Sequence, residues 1–180
     1  MNINDKCSKY FRYLDFIECS DTQKKVRVDN LPQEPKTYEA ISHLAKTIMD
    51  PIFEQFGQPQ ITYGLCSHNL QKHIKKSVAP RLDQHAGSER NSKGNLICSR
   101  GGFAVDLKIE NIKTEHVARY IVEHLRFDRL YFYGSDRPLH VSATIDTPQK
   151  AIVVFNTSNK GRTPKNLTRQ LFLDLTANEL

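Results

Sequence analysis

Three residues of this chain carry side chains suited to holding a divalent cation: His85 in "RLDQHAG", Asp106 in "GFAVDL" and His140 in "DRPLHVSA". Imidazole nitrogen and carboxylate oxygen are ordinary zinc donors, and a three-ligand set leaves a fourth position for water or substrate, as in catalytic rather than structural sites. Asp106 poses the sharpest question, because it interrupts the apolar run 103–107. A buried carboxylate is costly unless something positive pairs with it. A metal ion would serve; an Asp that faces solvent or caps a neighbouring amide would avoid the cost altogether. Spacing alone does not decide between them. Among the remaining histidines, His43, His73, His116 and His124 fall on helix-like segments, where surface or interhelical roles are expected.

Such ligands need a scaffold, and hydrophobic periodicity outlines one. Residues 36–57 place Ala40, Ile41, Leu44, Ile48 and Ile52 at helical spacing, ended by Gly57, with Pro51 expected to kink or split the helix. Residues 60–65 read as a strand and 69–76 as a short helix. In 103–109, Phe103, Val105, Leu107 and Ile109 share one face, and Ala104, Asp106 and Lys108 share the other. A second amphipathic helix fits 114–126, with Thr114 as its cap. Strand-like runs follow at 129–133, 139–144 and 151–155, then an expected loop at 156–164 and a terminal helix over 164–175. The pattern predicts an α+β fold with a small antiparallel sheet.

Composition sets outer bounds. With 180 residues, 38% hydrophobic and 26% charged, the chain fits one soluble, globular domain. A net charge of +6 favours an anionic partner, whether nucleic acid, membrane surface or cell-wall polymer, and names none of them. The basic residues are scattered, with small clusters at Lys75-Lys76 and Lys160-Arg162. Cys7, Cys19, Cys66 and Cys98 form no CxxC pair, so reduced thiols are expected. The first residues lack the apolar stretch of a secretory signal, and no segment approaches membrane-spanning length, which predicts a cytosolic protein.

Several phrases, in order, carry a resemblance. "FRYLDFIECSDT" and "DNLP" precede the helix "LAKTIMDPIFEQFG" and the strand "ITYG"; "DQH" is similar to an SxH ligand phrase, "GFAVD" to GxAxD, and "FDRLYFYGSDRPLHVS" to a segment that ends in a last ligand, often WxHVS. Together they resemble the zinc D-alanyl-D-alanine carboxypeptidases of the Hedgehog/DD-peptidase superfamily, in particular small phage and bacterial members related to endolysins. The resemblance implies zinc held by His85, Asp106 and His140, on an antiparallel sheet with helices packed behind it. It also implies a zinc-dependent hydrolase that cleaves a peptide or amide bond with metal-activated water. The implied substrate is a peptidoglycan stem peptide, reached after release by lysis, with a cytosolic substrate as the alternative.

The departures bear on chemistry. Residues 86–101 are inserted between "DQH" and the glycine phrase, and are expected to form a mobile loop over the metal. A count without a gap puts Ser99 at the histidine position, but a serine hydroxyl is a poor zinc donor. Cys66 aligns with the family's "SGYR" arginine, and Tyr133 or Arg137 stands where the family has its general-base glutamate, so these three are the candidate substrate-side residues. Cys66 has three open readings: a small buried residue, a fourth ligand that closes the site, or a lining residue of an altered pocket. Asp136 and Glu89 are the candidate replacement bases, each four residues from a ligand. Activity on the usual cell-wall substrate is therefore expected to be weak. The rival expectation is a noncatalytic metal-containing protein that binds an anionic partner, with nucleic acid as one possibility.

Overall fold

The computed structural model describes residues 2–18, 20–74, 79–158 and 161–175. Lys75, Lys76, Cys19 and Lys160, noted above, lie outside them. Two short helices, α1 (Tyr13–Ile17) and α2 (Asp21–Val26), precede a long one that comprises α3 (Pro35–Leu44), a wide π turn (Ala45–Met49) and α4 (Asp50–Phe56). Pro51 neither splits nor sharply breaks this helix. Proline cannot donate to the preceding turn, and the π turn immediately before it takes up the mismatch.

The sheet has six strands in the order β1-β2-β4-β3-β5-β6: β1 (Pro59–Tyr63), β2 (Phe103–Ile109), β3 (Arg129–Phe132), β4 (Leu139–Ala143), β5 (Ala151–Ser158) and β6 (Gly161–Leu167). Between β1 and β2 lies α5 (His68–Gln71), between β2 and β3 lies α6 (Thr114–His124), and α7 (Arg169–Asp174) ends the described chain. The fold is α+β as the pattern predicts, but the sheet is mixed. β5 follows β4 and passes over to the far side of β3, so it runs parallel to β3 while the other neighbours are antiparallel.

Two further expectations change at the C-terminal end. Residues 156–158 and 161–164, predicted as loop, continue β5 and β6 as a paired hairpin. Its polar, glycine-containing sequence hides the pairing from a periodicity reading. The last helix therefore begins only at Arg169, where the Thr168 hydroxyl caps it. Thr114 likewise starts α6 without capping it; its hydroxyl donates to the Arg137 carbonyl.

The strand alternation of β2 holds. Phe103, Val105, Leu107 and Ile109 join one buried cluster with Ile41, Leu44, Ile48 and Ile52 of the long helix, Val117 and Ile121 of α6, and Leu130, Leu139 and Val141 of the neighbouring strands. That cluster binds the helices to one face of the sheet and leaves Asp106 on the other. No helix among the described residues is long and apolar enough to cross a membrane.

The insertion 86–101 does not form the expected lid. Glu89 is 2% exposed, and its carboxylate accepts from the amides of Gln33 and Glu34 and from the Thr37 hydroxyl, at the start of α3. An anion there is favoured by the unpaired amides of a helix N-terminus. Gly87 has φ +55° and lies against Thr37, and Ala86, Ile97 and Cys98 form a small buried cluster of their own. The insertion is thus tied to the helix. Glu89→Ala should lower the unfolding free energy by about 3 kcal/mol in urea titrations, because the buried Thr37 hydroxyl and the part-buried Gln33 and Glu34 amides lose their carboxylate partner. A change below about 1 kcal/mol would contradict this role.

Candidate metal centre

Strand register builds most of the site. Asp106 of β2 faces His140 of β4, His140 faces Tyr131 of β3, and Tyr63 of β1 faces Asp106 across a bulge. These side chains form one row across four strands, on the face opposite the helices. His85 arrives from a 3₁₀ turn, Gln84–Ala86, laid over the row. Five hydrogen bonds fix that turn. The Asp83 side chain accepts from the His85 amide at 3.1 Å, and the Cys66 amide donates to the His85 carbonyl at 2.9 Å. Buried Gln84 donates to Asp128 at 2.9 Å and to the Gly101 carbonyl at 2.8 Å, and accepts from the Ser142 hydroxyl at 2.8 Å.

The result is a closed triangle of donor atoms. His140 Nδ1 lies 2.9 Å from Asp106 Oδ1 and 3.2 Å from His85 Nε2, and His85 Nε2 lies 3.4 Å from Asp106 Oδ1. A tetrahedral zinc ion with bonds near ~2.1 Å separates its ligand atoms by ~3.4 Å, so the triangle has the size of a metal site. Hydrogen bonds satisfy it less well, since each ring nitrogen carries at most one proton and three short edges need linking. The His85 ring is also oriented. Its Nδ1 lies 3.0 Å from the Gly64 carbonyl, and donation there leaves Nε2 with its lone pair toward the triangle. The residues present fit a divalent ion.

Electrostatics agree. Burial alone would lower the His85 pKa, but the Asp106 carboxylate more than offsets it and holds it above the ordinary histidine value. Burial alone would raise the Asp106 pKa; the neighbouring His85 and His140 hold it well below the carboxylate range. With no metal bound, the raised His85 pKa favours a proton on that ring beside Asp106.

Beside the triangle lies a cavity of about 270 Å³, walled by Tyr63, Ile74, Leu82, Tyr131 and Tyr133, with Asp83 at its edge. The Tyr131 ring stacks on His140 with centroids 4.7 Å apart, and Tyr63 meets the His85 ring edge-on at 4.5 Å. Arg100, from the end of the insertion, donates to the Tyr131 hydroxyl at 3.1 Å and to the Leu82 carbonyl at 3.0 Å.

His85, Asp106 and His140 therefore converge as their residue types suggest. Tyr133 lines the cavity and stacks on Phe155. The other candidates lie elsewhere. Asp136 and Arg137 are exposed in the turn between β3 and β4, and Asp136 borders a different hollow with Lys113 and Thr114. Glu89 is committed to the start of α3. Cys66 is 4% exposed beside Tyr63, its thiol pushed up to about 11 by burial, and it lies outside the donor triangle. Of its three readings, the small buried residue describes it.

Asp83, Tyr63, Tyr131 and Arg100 were not singled out by the sequence. Tyr131 had a signal: in 129–133 it alternates with Leu130 and Phe132 and so belongs to the face of Asp106. Arg100 had none, since only the fold of the insertion brings it to Tyr131. Comparison with protein-family models, curated proteins and solved structures finds no match to this chain.

One divalent ion should bind per chain, and His85→Ala, Asp106→Ala or His140→Ala should each remove most of it, as measured by metal analysis after gel filtration. Stoichiometric metal in all three variants would refute the site. Affinity should rise with pH. The raised His85 pKa means that a metal competes with a proton on this ring at pH values below that pKa, so affinity climbs by up to about tenfold per pH unit for one proton and levels off once the ring is deprotonated. Asp106, with its depressed pKa, stays ionised over this range and adds no slope. Titrations between pH 6 and 8 check the sign; affinity that is flat or falls with pH would contradict it.

Proposed function

We propose that the protein is a zinc-dependent hydrolase of a peptide or related amide bond. The observation that carries this reading is the donor triangle of His85, Asp106 and His140, open toward a small cavity. When bound, zinc supplies Lewis-acid polarisation of a carbonyl and activation of water. The chain's own groups have distinct tasks. His85 is held by the Gly64 carbonyl with its lone pair inward, and Asp106 brings the negative charge that favours a divalent ion.

A proton acceptor is also required. The cavity offers Asp83, whose carboxylate lies two residues before His85 and borders the same space, whereas Asp136 and Glu89 do not. A general base needs reach before it needs a tuned pKa. Tyr63, Tyr131, Ile74 and Leu82 form walls that would exclude water and grip a side chain. A volume of about 270 Å³ is at the low end for ligand sites and suits one or two residues rather than a long peptide.

The resemblance to zinc D-alanyl-D-alanine carboxypeptidases supports the peptide class, with a cell-wall stem peptide as the first substrate to try. Cys66, buried and uncharged, supplies no fixed positive charge where that family has an arginine. Such preorganised charge is worth roughly 2.7–4 kcal/mol in comparable sites. Turnover of a D-Ala-D-Ala peptide by zinc-loaded protein should therefore be slow. Asp83→Asn should reduce it about a hundredfold further with zinc content unchanged, and Asp136→Asn should leave it as it was. Fast turnover that survives Asp83→Asn would overturn both the assignment of the base and the expected weakness.

A further inference from the structure

The Arg100 contact gives the inserted segment a role in the cavity that its sequence does not announce. Three observations meet at Tyr131. Its ring is stacked on the His140 ligand, 4.7 Å between centroids and 13° between planes. Its side chain lines the cavity beside the donor triangle. Its hydroxyl oxygen receives an N–H from Arg100 at 3.1 Å, and the same guanidinium nitrogen is held by the Leu82 carbonyl at 3.0 Å.

A guanidinium has donors and no acceptor, so in this pair the phenol must accept. Its own proton is then left for another acceptor. Among the described residues, the Tyr131 hydroxyl has no hydrogen bond other than the one from Arg100. Because Tyr131 lines the cavity, that proton is available to a guest bound there. Arg100 adds a second effect: a positive charge behind the phenol strengthens hydrogen bonding to an anionic oxygen in front of it.

We propose that Tyr131 is a substrate-contacting hydrogen-bond donor of this cavity, its hydroxyl set by Arg100, and that it serves an anionic or carbonyl oxygen of a ligand held at His85, Asp106 and His140. The ligand class is an oxygen-rich metal binder such as a carboxylate, a hydroxamate or the developing oxyanion of an amide. Tyr131 is the contacting residue. Arg100 is a positioning residue, brought by an insertion that is otherwise tied to α3 through Glu89. This inference rests on the metal-site reading above.

The test uses full-length protein loaded with Co²⁺, whose visible bands report both metal binding and its perturbation by acetohydroxamate. Tyr131→Phe keeps the ring stacked on His140 and removes only the donor. It should leave Co²⁺ stoichiometry intact and weaken acetohydroxamate about tenfold, the scale of one hydrogen bond to a charged group. Arg100→Met should weaken it to a similar degree in the otherwise unchanged protein, and by less than about twofold when Tyr131 is already Phe. Arg100→Lys, which keeps a donor and a charge, should recover part of the loss.

Each alternative result is decisive. Bound Co²⁺ with acetohydroxamate affinity unaffected by Tyr131→Phe would overturn the inference and leave the metal site standing. An equal loss from Arg100→Met in both backgrounds would show that Arg100 acts on the ligand directly and would overturn its positioning role. Failure of the unmodified protein to take up Co²⁺ would overturn the metal site and this inference together.

Discussion

The charge on Asp106 is the constraint around which the rest of this structure is arranged. A carboxylate on a central strand of a six-stranded sheet, with neighbours on both sides, must be matched by positive charge close at hand. Two imidazoles face it, one from the adjacent strand and one from a turn laid over the sheet. Their nitrogen atoms approach the same carboxylate oxygen, at 2.9 Å from His140 and 3.4 Å from His85. A cation at the centre of the three satisfies all of them at once.

That arrangement depends on register. Side chains alternate faces along a strand, so a one-residue slip of β4 against β2 would turn His140 toward the helices and Val141 toward the cavity. The apolar face prevents the slip. Val105, Leu107, Leu139 and Val141 are all buried in the cluster that includes the long helix, and their burial fixes which residues remain for the opposite face. Core packing and site geometry are thus two consequences of the same pairing. The chain enters β2 through Gly102, at φ +72°, where a Cβ would sit 2.2 Å from the Ala143 carbonyl oxygen. Only glycine fits that approach, and the Gly101 carbonyl next to it anchors Gln84 beneath the His85 turn.

Much of this was legible in the residues. The alternation of 103–109 put Asp106 opposite the apolar face, and the helical spacing of 36–57 gave the long helix almost to its ends. The ligand trio could be named from chemistry and from phrases resembling a zinc peptidase family. What stayed hidden was long-range. Nothing local says that β5 crosses to the far side of β3, that 156–158 pairs with 161–163, or that Glu89 reaches back to residues 33–37. Glu89 and Asp136 were attractive as bases because each is near a ligand in sequence, but strand and turn geometry carries both away. Asp83, two residues before His85, was the nearer choice, and the 3₁₀ turn keeps it there.

The central claim is that two imidazoles and one carboxylate hold a metal ion with no sulfur partner, and X-ray absorption at the zinc edge of the zinc-loaded protein tests it most directly. The account predicts a shell of nitrogen and oxygen atoms near ~2.0–2.1 Å, with the multiple-scattering pattern of two imidazoles. A sulfur shell near ~2.3 Å would place a cysteine on the metal. That result, or a spectrum without imidazole scattering, would contradict the assignment of His85, Asp106 and His140.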